Sequence, residues 1–308
     1  MSRYINPYTD FGFKRLFGEE ANKDLLIDFL NALLPEKHRV KTLTFRNLEQ
    51  LGLIVADRKS VYDIYCTAEN GEHFIVEMQK EEQHYFKDRA LFYSAHAIRN
   101  QGKKSKKWNY QLQAVYFIGI LDFEYDEEEE RRKLERNVQL KDQDGDIFYD
   151  KLEIIFLQMP LFTKTESELE TQKDKWYFFL KNLVDFDQIP AILREPVFQQ
   201  AFETAEIAKM NQNELDLYEA SLKVYRDNYS TYETAVNKGE TRGLAIGMAK
   251  GLAKGLAEGR AEGRTEGRTE GRTEEKIEIA RNMKREGFDL STIAKITGLS
   301  QKEIKRLT

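Results

Sequence analysis

Asp63, Glu77 and Gln79 are the residues whose types and spacing best support chemistry. They lie in two short alternating runs, VYDIYCTA and HFIVEMQ, with Glu69, Asn70 and Gly71 between them. In the first run alternation sets Tyr62, Ile64 and Cys66 on one face and Val61, Asp63 and Tyr65 on the other. In the second it separates Phe74, Val76 and Met78 from His73, Ile75, Glu77 and Gln79. A two-residue Asn70-Gly71 turn would place Asp63 opposite Met78 and throw Glu77 to the other side, because one residue of slip reverses every side chain. A three-residue loop, with a type I turn and Gly71 in the left-handed position of a G1 bulge, sets Asp63 opposite Glu77 instead. The second register also gathers the apolar residues on one face. Burying unpaired carboxylates would cost several kcal/mol, so the bulged register is expected, with both acids facing solvent beside the apolar core.

Two carboxylates facing each other across neighbouring strands sit about 5 Å apart at their Cβ atoms and repel. A divalent cation removes the repulsion. Hard oxygen donors of this kind suit Mg²⁺ or Mn²⁺, which keep several waters and activate one toward a phosphorus centre. Gln79, two residues beyond Glu77 on the same face, is placed to hold that water or a phosphate oxygen. On spacing alone, the competing reading is a pair of exposed sheet-face acids neutralised by lysine or arginine.

The elements that must position these residues follow from periodicity. Apolar positions at helical spacing, Phe13, Leu16 and Phe17 and then Leu25, Leu26, Phe29, Leu30 and Leu33, predict two short helices before Pro35. The runs LTFRNLEQ, VYDIYCTA, HFIVEMQ, QAVYFIGIL and KLEIIFLQMP read as strands, with a helix from about 83 to 99 between the third and fourth. This order argues an α/β fold with a mixed sheet flanked by helices. After Pro160 the pattern turns helical: TESELETQKDKWYFFLKNLV carries Trp176, Phe179, Leu180 and Leu183 on one face, and further helices cover about 197 to 209 and 213 to 229. The predicted divisions are a core over 1–160, helices packed on it over 161–238, a repeat over 239–273 and a small tail over 274–308.

Composition narrows the function classes. A formal net charge of -5 across 308 residues excludes a polycation that coats nucleic acid indiscriminately, so DNA contact needs a local basic patch. The single cysteine, Cys66, matches no zinc spacing and permits no internal disulfide. The opening MSRYINPYTDFGFKRLF lacks an apolar signal core, and no stretch approaches the roughly 20 apolar residues of a membrane span; a soluble, cytoplasmic protein without a membrane partner is expected.

Asp63 followed by Glu77-Met78-Gln79 resembles the acid, acid-x-lysine signature of the PD-(D/E)xK nucleases. The segments NPYTDFGFKRLFG, RKSVYDIYCTAENGEHFIVEMQ, DRALFYSA and WYFFL are similar to one branch, the recombination-promoting nuclease (Rpn) family of transposase-like proteins. The resemblance covers roughly the first 180 residues. It implies a restriction-endonuclease-like core in which Asp63 and Glu77 bind the metal, and a metal-dependent DNA endonuclease acting in recombination, mobile-element biology or phage defence. Gln79 stands where the superfamily has lysine. Glutamine carries no positive charge, so water activation rests on the metal, or Lys14 or Arg89 supplies the charge; Lys80 points to the opposite face. A nuclease fold that has lost catalysis and serves as an oligomeric interaction or DNA-binding module is the alternative.

Secondary candidates surround this trio. Asp10 opens the first helix, where it serves either as an N-cap or as a further acid of the site, with Lys14 one turn on. Arg89 and Tyr93, also one turn apart, can reach one phosphate from the same helix face, or Tyr93 is simply core. Lys103, Lys104, Lys106 and Lys107, beside Trp108 and Tyr110, form a basic run suited to a DNA backbone or to a solvated loop.

From Gly239 to Gly271 glycine recurs at every fourth residue, nine times in all. As a helix interior this costs roughly 9 kcal/mol relative to alanine. Either the tract is a flexible linker, or it is a helix whose partner offsets that cost. The sorting of its other columns favours a homo-oligomer: Leu244, Met248, Leu252 and Leu256 give way to Arg260, Arg264, Arg268 and Arg272, and Glu258 to Glu274 form a second column. The last residues read as short helices resembling a helix-turn-helix, with Ser300 and Glu303 as a capping box and Lys302, Lys305 and Arg306 available to phosphates, or as a cap that ends the oligomer.

Overall fold

A computed structural model of the chain describes residues 2–46, 63–80, 85–102, 109–125 and 132–307. Six strands form one mixed sheet: β1 (Leu43–Phe45), β2 (Ile64–Ala68), β3 (His73–Gln79), β4 (Val115–Leu121), β5 (Glu135–Lys141) and β6 (Ile147–Gln158). They lie in the order β1-β2-β3-β4-β6-β5. The β2–β3 pair is an antiparallel hairpin, whereas β3 runs parallel to β4 and β4 to β6. Such parallel neighbours need crossover connections, and both faces of the sheet are covered.

One face carries Ile64, Cys66, Phe74, Val76, Tyr116, Ile118 and Ile120 beneath α1 (Asp10–Phe17), α2 (Lys23–Leu33), α4 (Gln172–Asn182) and α5 (Pro196–Ala205). Trp176, Phe179 and Leu180 of α4, with Leu183 just past its end, are fully buried there. The other face carries Tyr65, Ile75, Val115, Phe117, Ile154 and Phe156 beneath Phe86, Ala90, Tyr93 and Ala97 of α3 (Phe86–Arg99). Because both faces are covered, β3 and β4 read as nearly continuous apolar runs. Strand β5 carries no such signal: ERNVQLK is polar and largely exposed on the sheet edge, and periodicity did not reveal it.

The chain divides into two compact units, residues 1–228 and 229–308. The last long helix, α6, runs without interruption over Gln212–Arg285, so the segments expected separately at 213–229 and 239–273 belong to one helix. Its first turns are fastened to the sheet unit: the Tyr218 hydroxyl accepts from Asn6 N at 2.9 Å, Ser221 Oγ accepts from Phe11 N at 3.2 Å, and Glu214 pairs with Arg15 at 2.7 Å. In the second unit α6 ends before Gly287, whose φ of 89° only glycine adopts readily. Helices α7 (Leu290–Thr297) and α8 (Gln301–Arg306) then close a small core of Ala280, Ile293 and Ile304, and the Ser300/Glu303 capping box forms as expected. Among the described residues no helix is long and apolar enough to cross a membrane.

Candidate active site

The hairpin turn fixes the register of the site. Gly71 N donates to Ala68 O at 3.0 Å, Ala68 N donates to Glu72 O at 2.9 Å, and Gly71 has φ 86°, the signature of the three-residue loop with its bulge. Strand pairing of Ile64 with Val76 and Tyr65 with Ile75 follows, and one further step sets Asp63 opposite Glu77. Asp63 Oδ2 accepts from Met78 N at 2.8 Å, which locks the acid to the strand of its partner.

Glu77 does not face open solvent, contrary to the expectation from sequence: it is 2% exposed and Gln79 5%, whereas Asp63 is half-buried. Helix α3 covers this face, and burial of Glu77 is tolerated because the same helix supplies its counter-charge: Arg89 Nη2 donates to Glu77 Oε2 at 2.9 Å. Gln79 Nε2 donates to the same oxygen at 3.3 Å. On β4 the lateral neighbour of Glu77 is Gly119, where a Cβ would come within 2.9 Å of the Phe156 ring. The missing side chain leaves this strip of the face to the carboxylate.

All four secondary candidates lie close enough to this centre to interact electrostatically with its acids. Thr9, and not Asp10, caps α1, its Oγ1 accepting from Gly12 N; Asp10 instead pairs with Lys14 at 2.6 Å. Lys14 pulls the Asp63 carboxyl down and Asp10 pushes it up, though burial dominates and the net shift is upward. Burial likewise pushes Glu77 up to about 7, opposed by Arg89 and reinforced by Asp63. Tyr93 is core, as its alternative reading had it, yet the Arg89 guanidinium lies over its ring at 5.9 Å, and burial with Glu77 nearby raises its hydroxyl. Lys103, Lys104, Lys106, Lys107 and Trp108 lie outside the described residues.

Periodicity missed Asp122, just beyond β4. Its N–H donates to Gln79 O at 2.8 Å and so fixes the end of the strand that carries Gln79. Burial raises its carboxyl to about 6, opposed by Lys80 and by a hydrogen bond with Tyr225. An acid in a loop has no periodic signal, so only the strand pairing reveals it.

The donor set fits a hard divalent cation. Gln79 Oε1 is buried without a hydrogen-bond partner among the described residues, and no hydrogen bond to Asp63 Oδ1 or Glu77 Oε1 occurs there either. Among the described residues no group of three or more His, Cys, Asp or Glu side chains converges, so the two carboxylates would be the protein's ligands, water would complete the shell, and the Gln79 amide oxygen would orient one of those waters. A cation needs Glu77 ionised. With its folded value raised from 4.5 to about 7, the stability this group lends the metal-free protein is present below about 4.5 and lost as pH rises through 7. Mn²⁺ binding should therefore release close to one proton at pH 6 and far fewer at pH 8, with affinity rising up to about pH 7 and then levelling. Calorimetric titration in buffers of different ionisation enthalpy measures the release; heats independent of buffer at pH 6 would contradict it.

A mixed sheet with paired acids at the end of a hairpin, flanked by helices on both faces, defines the PD-(D/E)xK nuclease class. The family described as "PD-(D/E)XK nuclease family transposase" matches residues 7–235, well over half the chain, and the protein belongs to it. Residues 273–308 match the C-terminal helix-turn-helix domain of the Rpn/YhgA-like nuclease family. No curated protein and no solved structure matches the chain significantly.

Proposed function

We propose that this protein is a Mg²⁺- or Mn²⁺-dependent DNA endonuclease that hydrolyses phosphodiester bonds, in the cytoplasm, in recombination, mobile-element biology or phage defence. The observation that carries the reading is the set of uncommitted oxygens on Asp63, Glu77 and Gln79 at one end of the hairpin. Asp63 and Glu77 would hold the cation, which when bound supplies Lewis acidity and an ionised water. Gln79 Oε1 would accept a hydrogen bond from the attacking water and so aim it. Arg89 supplies the positive charge that lysine brings elsewhere in the superfamily, and its place against Glu77 in a sheet-covering helix supports that role. Lys14, paired with Asp10, adds a second positive group beside Asp63.

In this reading residues 1–160 with the helices of 161–238 cut DNA, Lys103, Lys104, Lys106 and Lys107 follow its backbone, and the 274–308 tail adds contacts through Lys302, Lys305 and Arg306. The repeat of 239–273 joins copies into a homo-oligomer. Gln79→Ala should lower the cleavage rate by about 10- to 100-fold while leaving Mn²⁺ affinity within about threefold, because the carboxylates hold the metal and the amide only orients water. Rates and calorimetry on the same preparation check this, and loss of binding would make Gln79 a direct ligand or a determinant of the fold. The second reading, a nuclease fold without catalysis, is favoured by the missing lysine; cleavage of plasmid DNA with and without Mg²⁺ decides between them.

A further inference from the structure

Helix α3 carries apolar side chains on two faces. Its inner face, Phe86, Ala90, Tyr93 and Ala97, lies on the sheet, and Arg89 reaches Glu77 from its flank. Its outer face carries Asp88, Phe92, Ala95 and Arg99, all exposed, with Leu91 beside them. Phe92 is 58% exposed and Leu91 54%, so the sheet has no use for either. The charges at the two ends of this stripe are equally unplaced: among the described residues neither Asp88 nor Arg99 has an ion-pair partner. A helix face turned only to water carries polar residues, not a leucine and a phenylalanine side by side.

Spacing and charge select the occupant. Positions 88, 92, 95 and 99 follow at intervals of four, three and four residues, the rhythm that keeps one seam of a helix against a second helix crossing at about 20°. Read along the chain the seam is acid, aromatic, small, base, and reversed it is its own complement. In a second copy laid antiparallel, about a two-fold axis midway between positions 92 and 95, Asp88 meets the partner's Arg99 and Phe92 lies over the partner's Ala95. Each contact occurs twice. A parallel two-fold sets acid against acid, base against base and ring against ring. The same two charges suit the helix's own dipole, with the acid in the first turn and the base in the last, but the dipole does not call for an exposed Phe92 between them.

We propose that α3 pairs antiparallel with α3 of a second copy through the seam of Asp88, Phe92, Ala95 and Arg99. This surface is separate from the 239–273 repeat, and the proposal rests neither on that repeat nor on nuclease activity. Pairing holds in place the helix that brings the Arg89 guanidinium to Glu77, so the seam bears on the candidate active site through one shared element.

A single helix of 14 residues offers less than the roughly 800 Å² per partner of a stable interface, so the pairing is weak and is read by trapping. The experiment is disulfide formation, without DNA or metal, in the full-length protein carrying Ala95→Cys, with Lys87→Cys for comparison; both positions are exposed, and the wild-type Cys66 is buried. In the antiparallel seam position 95 lies about 4.5 Å along the helix axis from its counterpart, and position 87 about 20 Å. Copies held together elsewhere raise both rates alike, so their ratio reads the seam. The expected result is a homodimer cross-link at least tenfold faster at 95 than at 87. Adding Asp88→Arg or Arg99→Asp to Ala95→Cys should slow it at least fivefold, and mixing the two double variants should restore the fast rate, because each then meets its complement; the recovery also shows that both fold. Equal rates at 87 and 95, a cross-link at 95 indifferent to both charge reversals, or no recovery on mixing overturns the proposal.

Discussion

Glu77→Gln and Asp63→Asn should each lower divalent-dependent cleavage by at least about 10³-fold, equivalent to about 4 kcal/mol of barrier, because each removes half of the charge that fixes the cation and its water. Isosteric amides suit this test better than alanine. Asp63 accepts from Met78 N, a bond that an asparagine oxygen retains, and truncation at 77 would remove the carboxylate with which Arg89 pairs. Both variants should keep wild-type circular dichroism and melt within a few degrees of the parent without metal. Wild-type cleavage rates in both would remove the acids from the site, and a loss of activity explained by unfolding would return them to a structural role.

Arg89→Met should destabilise the metal-free protein by about 2 kcal/mol at pH 8, the range of a hydrogen bond to a charged group, and by much less at pH 5. Arg89 opposes the burial that raises Glu77, so its removal lifts that carboxyl beyond about 7. A carboxylate raised in the folded state lends stability at low pH that is lost as pH climbs through its folded value, and raising it further deepens the loss at pH 8. The loss is capped because Glu77 can escape by taking up a proton. Adding Glu77→Gln to Arg89→Met should erase the pH dependence. Urea denaturation at both pH values measures it, and an equal deficit at pH 5 and pH 8 would reduce Arg89 to a packing residue.

Much of this site was legible in the sequence because the hairpin is a local object. Three residues, Glu69, Asn70 and Gly71, decide the turn, and the turn decides which acids meet. What lies above the hairpin is not local. Glu77 is buried by α3, and the sequence distance from Glu77 to Arg89 says nothing about the sheet face on which that helix will rest. The alternation in β3 looked like one wet face and one dry face; in fact Ile75 and Val76 are both fully buried on opposite sides. Thr9 took the cap expected of Asp10 because its hydroxyl reaches Gly12 N, which frees Asp10 to pair with Lys14. Strand β5 escaped notice because an edge strand needs no apolar face, and Asp122 because loop acids have no period. In α6, glycine cost argued against the unbroken helix that the structure contains, because propensity weighs each residue locally.

The most direct test of the proposed metal-dependent nuclease centre is the conversion of supercoiled plasmid to nicked and linear forms by the full-length protein. With Mg²⁺ or Mn²⁺ present the account predicts conversion that stops on chelation, resumes when the cation is restored and is absent from Asp63→Asn prepared in parallel. Intact plasmid with either cation at micromolar protein, or equal conversion by the Asp63 variant, would contradict it.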